Sequence, residues 1–232
     1  MTPSAQNRAA ELATALSMGF VTDPRQLTGL TLEVSDRGLA LRDYAQPRSR
    51  SFEINPLQER VRADRRDLLA RALGKRARVI IDATAGFGAD SFDFVHRGKQ
   101  VVAIEREPLV ALLLQDAAQK LASAGHRGAL RVVVGDAYQL IPTLPSADVI
   151  FLDPMFPDTE KKTAQPRKAQ QLLRRLAGVD VDSTRLLTLA RRHVGQRVVV
   201  KRPRHAAPLA VTPHHCLMGR AIRYDIYLPE GS

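Results

Sequence analysis

The chain has 232 residues, 44% of them hydrophobic, which suits one large domain with a small addition. Its single cysteine, Cys216, excludes an internal disulfide and a cysteine-rich zinc site, and no apolar run approaches the ~18 residues of a membrane-spanning helix. The formal charge of +11 favours an anionic polymer or a membrane surface as partner, and the stretch from Lys161 to Arg204, with 13 Lys or Arg against 2 Asp, carries a surplus as large as that of the whole chain. The plainer reading of that stretch is a solvated helical face. The N-terminus is Ala-rich but interrupted by Arg8 and Glu11, unlike a signal peptide, so the expected location is cytoplasmic.

Ala9, Ala10, Leu12, Ala13 and Leu16 form a weak helical pattern closed by Gly19. The period then changes to two. Leu30, Leu32 and Val34 alternate, Ser35-Asp36-Arg37-Gly38 supplies turn residues, and Leu39 and Leu41 resume the alternation, which predicts a β-hairpin. Phe52 and Ile54 add a third strand, so residues 1–55 read as a small β-containing region that leans on the rest of the chain. Asn55 and Pro56 read as an N-cap and first helical residue, opening a linking helix over 56–75 that runs to Leu73 before Gly74. Leu57, Val61, Leu68, Leu69 and Leu73 form its apolar side. Arg60, Arg62, Arg65, Arg66 and Arg71 crowd the remainder, as a plain connector or as a phosphate-facing surface.

Residues 76–232 carry the pattern of a doubly wound α/β sheet. Arg78 to Asp90 reads RVIIDATAGFGAD: a β-branched run too dry for a surface strand, the closing acid Asp82, and then Gly86 and Gly88, which let the backbone approach a ligand closely. A helix begins near Asp90 and stops at Gly98. Val101 to Ile104, Arg131 to Val134, Val149 to Leu152 and Arg197 to Val200 read as further strands, with a helix from Pro108 to Gly125 between the first two and a closing antiparallel pair at Cys216 to Met218 and Tyr224 to Leu228. Cys216 reads as a small buried hydrophobe. The six histidines have no metal-ligand spacing, so no metal is expected.

Acids close four successive strands, at Asp82, Glu105, Asp136 and Asp153, which points to one polar pocket along the strand ends. Glu105 follows Gly88 at close to the ~20-residue spacing of an acid that accepts from ribose hydroxyls, and Asp136 is placed to meet an adenine amine. Ser91 stands where a dinucleotide dehydrogenase wants Gly or Ala, which disfavours a nucleotide oxidoreductase. The sharpest motif is Asp153-Pro154-Met155-Phe156. An exocyclic base amine is a poor nucleophile because its lone pair is delocalised; a carboxylate and a nearby carbonyl accept its two hydrogens and aim the lone pair at an electrophile. Pro154 presets the turn, and Phe156 offers a stacking face for a splayed base. Read structurally, the same residues are an Asp-Pro turn with a buried Phe.

DATAGFGAD, the IER of Ile104 to Arg106, FLDPMFP, VVVKRP at Val198 to Pro203 and RYDIYL at Arg223 to Leu228 together resemble the bacterial RsmJ family, over about Arg78 to Leu228. That resemblance implies a class I S-adenosylmethionine-dependent methyltransferase, a seven-stranded mostly parallel Rossmann-like sheet, that methylates a guanine N2 in 16S ribosomal RNA or the small ribosomal subunit. It implies cofactor contacts at Ala89, Asp90, Glu105, Arg106, Asp136, Ala137 and Asp153, beside the strand-end residues Asp82, Gly86 and Gly88. Ala89 stands where the family usually carries a basic residue, and Met155 replaces the second proline of the wider amino-methyltransferase class. Phosphate contacts are expected from Lys161, Lys162, Arg167, Lys168, Lys201 and Arg202. The alternatives are an amino-methyltransferase acting on another RNA or DNA base, and a non-catalytic RNA-binding assembly factor that keeps the cofactor pocket.

Overall fold

The computed structural model describes residues 2–46, 48–57, 67–155, 168–177 and 182–231. Thr2 caps helix α1 (Pro3–Ala15) by accepting from Ala5 N, and the helix ends at Leu16, before Gly19. The period-two stretch forms β1 (Leu30–Ser35) and β2 (Gly38–Asp43), antiparallel, with Ser35 opposite Gly38. Phe52 makes only an isolated bridge to Leu41, so the expected third strand shrinks to one pair.

The linking helix does not run unbroken from Pro56. Asn55 Oδ1 accepts from Leu57 N and closes a turn there, while Asp67 has non-helical backbone and caps a short helix α2 (Leu68–Leu73) through Ala70 N. An aspartate that finds its own backbone donor this way starts a helix instead of continuing one. Residues 58–66, with Arg60, Arg62, Arg65 and Arg66, lie outside the described residues.

Strands and helices alternate from β3 (Val79–Asp82) through α3 (Ala89–His96), β4 (Gln100–Glu105), α4 (Pro108–Ser123), β5 (Ala129–Val134), α5 (Ala137–Leu140) and β6 (Val149–Leu152), followed by two helices, α6 (Lys168–Ala177) and α7 (Ser183–His193), and three strands, β7 (Arg197–Pro203), β8 (His215–Met218) and β9 (Ile222–Tyr227). They build a 7-stranded sheet in the order β5-β4-β3-β6-β7-β9-β8. It is parallel except where β9 runs antiparallel to β7 and β8. The chain steps outward from β3 to β5 and then returns to lay β6 against the other side of β3. That reversal opens the crevice beyond the carboxyl ends in which such sheets hold ligands.

Side-chain parity assigns each strand residue to one of two apolar layers. Ile80, Val149, Phe151 and Val199 face the layer that holds α2, α3 and α4, whereas Ile81, Ile150, Leu152, Val198 and Val200 face the layer with α5 and α7. Leu39, Leu41 and Ile54 belong to the first layer, so the hairpin shares the core of the sheet. Asp116 of α4 ties it down, accepting from Leu39 N at 3.2 Å and from Arg8 of α1 at 3.0 Å. Cys216 corrects an expectation: on the edge strand β8 it is Leu217 that turns inward, and Cys216 is exposed, its Sγ donating to Asp225 at 3.2 Å.

Candidate active site

A cleft of about 560 Å³, its open mouth included, lies at the carboxyl ends of β3 to β6. Glu105, 6% exposed at the end of β4, accepts from Gly86 N through Oε2 and from Glu107 N through Oε1, both at 2.8 Å. Burial pushes its carboxyl above the usual range, and the two amides oppose that rise. Each oxygen keeps a lone pair for a further hydroxyl donor. Across the cleft Asp136 caps α5, accepting from Tyr138 N at 2.8 Å, with Ala137 buried beside it. Ile104, Leu173 of α6 and Leu186 of α7 supply apolar wall. Arg106 donates to Ala177 O at 2.8 Å, which ties the end of α6 to the tip of β4.

The two glycines of the turn do different things. Both have left-handed backbone, φ 54° at Gly86 and 83° at Gly88, a conformation that side chains disfavour. Gly86 lines the cleft, and a Cβ there would meet Leu173 at 2.8 Å. Gly88 caps α3 and faces the core instead: a Cβ would come within 2.4 Å of Leu114 and 2.9 Å of Phe92. Its close approach is to buried side chains.

The remaining acids gather on the α3 side of the sheet. Asp82 is 1% exposed, does not line the cleft, and accepts from Ser91 Oγ at 2.6 Å and Thr84 N at 3.3 Å. Burial pushes its carboxyl up to about 7 against the Ser91 hydrogen bond. Asp153 lines the cleft, and its N–H donates to Thr84 Oγ1 at 2.7 Å. Between Asp153 and Asp90 stands Lys201 of β7, with Nζ 2.8 Å from Asp153 Oδ2 and 2.6 Å from Asp90 Oδ2. Burial and the nearby Asp90 raise the Asp153 carboxyl while Lys201 lowers it; the two carboxylates hold the Lys201 ammonium far above its ordinary range in spite of burial.

Residues 14–229 match the model of the family described as "Putative SAM-dependent methyltransferase". Ribosomal RNA small subunit methyltransferase J of Chromohalobacter salexigens is 36% identical over 237 residues, covering 94% of this chain and 92% of that protein. The chain belongs to this family. The corresponding protein of Hydrogenovibrio crunogenus is 44% identical over 169 residues, covering 68% of this chain and 61% of that one. A crystal structure of a SAM-dependent methyltransferase from Neisseria gonorrhoeae is similar throughout, with a TM-score of 0.71 at 28% identity, covering 100% of this chain and 96% of that one. The fold is thus the class I S-adenosylmethionine-dependent methyltransferase fold. The family match includes the N-terminal hairpin, which the motifs alone left unassigned.

The residues present fit the family's cofactor. A buried carboxylate with spare lone pairs suits ribose hydroxyls, Asp136 beside the small Ala137 suits an adenine edge, and Gly86 leaves room where any side chain would meet Leu173. Of the residues expected to touch it, Gly86, Glu105, Arg106, Asp136, Ala137 and Asp153 line the cleft, whereas Asp82, Gly88, Ala89 and Asp90 do not. Lys201 and Arg202, expected at phosphates, are engaged inside the protein: Lys201 with the two aspartates, and Arg202, on the opposite face of β7 and 7% exposed, with Ala207 O. Pro154, next to Asp153, is buried and is not among the residues lining the cleft. Phe156, Lys161, Lys162 and Arg167, and the side chain of Lys168, lie outside the described residues.

Thr84, Leu173 and Leu186 were not legible as site residues, since no local pattern marks a threonine that holds Asp153 or leucines that arrive on distant helices. In the sequence Ser91 argues only against dinucleotide binding; in the fold it donates to Asp82, which accounts for its presence. Among the described residues no helix is long and apolar enough to cross a membrane, and no group of three His, Cys, Asp or Glu is placed to hold a metal ion.

Proposed function

We propose that the protein transfers a methyl group from S-adenosylmethionine to the exocyclic N2 of a guanine in 16S ribosomal RNA, working in the cytoplasm on the RNA or on the small subunit. The observation that carries this reading is the placement of Asp153: at the end of β6, on the wall of the cleft that Glu105 closes from the other side, with its backbone held by Thr84. The names of the relatives supply the class of RNA. S-adenosylmethionine, when bound, supplies a methyl group on a positively charged sulfur. The work left to the chain is alignment. Glu105 holds the ribose hydroxyls, Asp136 meets the adenine amine, and the Asp153 carboxylate and Pro154 carbonyl accept the two hydrogens of the guanine amine, so that the nitrogen lone pair is freed from the ring and faces the methyl. As the nitrogen gains positive charge, the same carboxylate stabilises it and stands ready for the proton that must leave. Phe156 stacks on the splayed base, and Lys161, Lys162, Arg167 and Lys168 grip phosphates, whereas Arg175 is held by Asp43 at 2.6 Å.

The test is transfer of labelled methyl to small ribosomal subunits from a strain that lacks the enzyme, followed by mapping of the modified base. Methyl on a guanine N2 of 16S RNA is the expected result. Label on another base moves the substrate, and tight binding of cofactor and RNA without any transfer makes the protein an assembly factor.

A further inference from the structure

Five strand and helix ends bring titratable groups to one side of the sheet: Asp82 from β3, Asp90 from α3, Asp153 after β6, Lys201 from β7, and Tyr224 of β9, which pairs with Lys201 in register. Among the described residues, Lys201 is the only cation ion-paired to Asp90 or to Asp153. It is also only partly accessible, its side chain 23% exposed against 37% for Asp153 and 21% for Asp90. An ammonium at 2.6 and 2.8 Å from two carboxylates already has its charge engaged, which argues against a phosphate contact.

We propose that Lys201 is a positioning residue of the transfer reaction: bridging Asp90 Oδ2 and Asp153 Oδ2, it keeps two adjoining carboxylates charged together and leaves Asp153 Oδ1 for the guanine amine. The proposal rests on the function given above. Two carboxylates that converge on one ammonium, once that cation is removed, favour sharing a proton, because each negative charge opposes the ionisation of the other. A protonated Asp153 donates a hydrogen bond where the amine needs an acceptor. Asp82 adds to the repulsion as it ionises, and Asp93, further along α3, is occupied by Arg97 at 3.1 Å. The Tyr224 hydroxyl, raised by burial and then by Asp90, stays neutral and lends no compensating charge. Lys201 therefore supplies the positive charge that lets Asp153 accept.

The experiment compares wild type with Lys201→Met, Lys201→Arg and the double variant Lys201→Met with Asp90→Asn. Turnover is measured against pH at saturating cofactor and RNA, RNA affinity against salt, and the aspartate carboxyls by carbon-13 NMR titration. In Lys201→Met one carboxyl of the pair should titrate at least ~1 pH unit higher than in wild type, and turnover at pH 7 should fall by about tenfold or more and recover as pH rises, as expected for a shifted base. Lys201→Arg should keep most of the turnover, and the double variant, which also removes the repelling charge, should return the carboxyl titration toward wild type. RNA affinity and its salt dependence should not change.

A salt slope lowered by about 0.7 with an unshifted carboxyl titration would return Lys201 to the role of a phosphate contact and overturn the proposal. A loss of turnover that is the same at every pH, with no shift in the carboxyls, would overturn it in favour of a purely structural ion pair. Failure of the parent reading is separately visible. If wild type puts no methyl on guanine N2 while the carboxyl titration shifts in Lys201→Met, the substrate assignment is wrong and the charge-holding role of Lys201 stands.

Discussion

The two halves of the strand-end crevice use acids in opposite ways. Along β4 and β5 the carboxylates of Glu105 and Asp136 are held by backbone amides, from Gly86, Glu107 and Tyr138, at 2.8 Å each. Along β6 and β7 the Asp153 side chain meets an ammonium shared with Asp90, and it is Asp153's backbone that Thr84 fixes. Amide donors cannot move or titrate, so the first half is a rigid mould suited to a ligand of constant shape. An ion pair responds to every charge that enters, which suits a half where charge develops during reaction. On the proposed function, acids at equivalent strand ends serve binding on one side and chemistry on the other.

The comparison breaks most visibly at Asp153. Asp153→Asn keeps size and one acceptor oxygen but loses the charge, and turnover in single-turnover assays at saturating cofactor should fall by about 10²–10⁴-fold. RNA affinity, set mainly by phosphate contacts, should stay close to that of the parent. Turnover at the wild-type rate would sink the amine-orienting role.

On the other half the expected loss is in binding. Glu105→Ala removes an acceptor for the ribose and also releases the amides of Gly86 and Glu107, so calorimetry should show cofactor affinity weaker by about 1.5–3 kcal/mol. Unchanged affinity in a folded variant would remove Glu105 from the site. Glu105→Gln, which retains one carbonyl oxygen, should fall between the two.

Asp82 sharpens the contrast through pH. Its carboxyl sits near 7 in the folded protein, against about 3.9 unfolded, so the native state binds the extra proton between those values. Its contribution to stability is therefore complete below about pH 4 and lost as pH rises through about 7, at no more than about 1.4 kcal/mol per pH unit. Denaturant unfolding at several pH values should show that slope flattened in Asp82→Asn, and identical profiles would mean that Asp82 is ionised in the fold.

The smallest single effects belong to the basic surface. The log of RNA affinity should fall linearly with log salt, by about 0.7 for each phosphate contact if the bound RNA is single-stranded. Charge-removing substitutions at Lys161, Lys162, Arg167 and Lys168 should each lower that slope by about one contact while leaving the titration of the Asp153 cluster untouched. A flat salt response would make the basic stretch a solvated face.

Much of this was legible in the chain because the signals are local. Apolar runs such as VIID and VIFL, the acids that close them, Pro108 at a helix start and the alternation around Ser35-Asp36-Arg37-Gly38 each depend on neighbours a few residues away, and the strands, helix and hairpin lie where those patterns put them. Composition and motif together determined the sheet, its ligand end and the family. Other features needed the assembled structure. Parity along β7 puts Lys201 and Arg202 on opposite faces, but only the return of the chain to β6 and the crossover of α3 decide that the Lys201 face meets Asp90, which is 111 residues away. Gly88 looks like a ligand-facing glycine until Leu114 and Phe92 pack against it, and Asp82 looks like another pocket acid until Ser91 covers it. Charge, periodicity and turn chemistry are properties of short segments and can be read from order alone. Whether a lysine meets a phosphate or an aspartate depends on what lies within about 3 Å of its nitrogen, and only the packing of distant segments decides that.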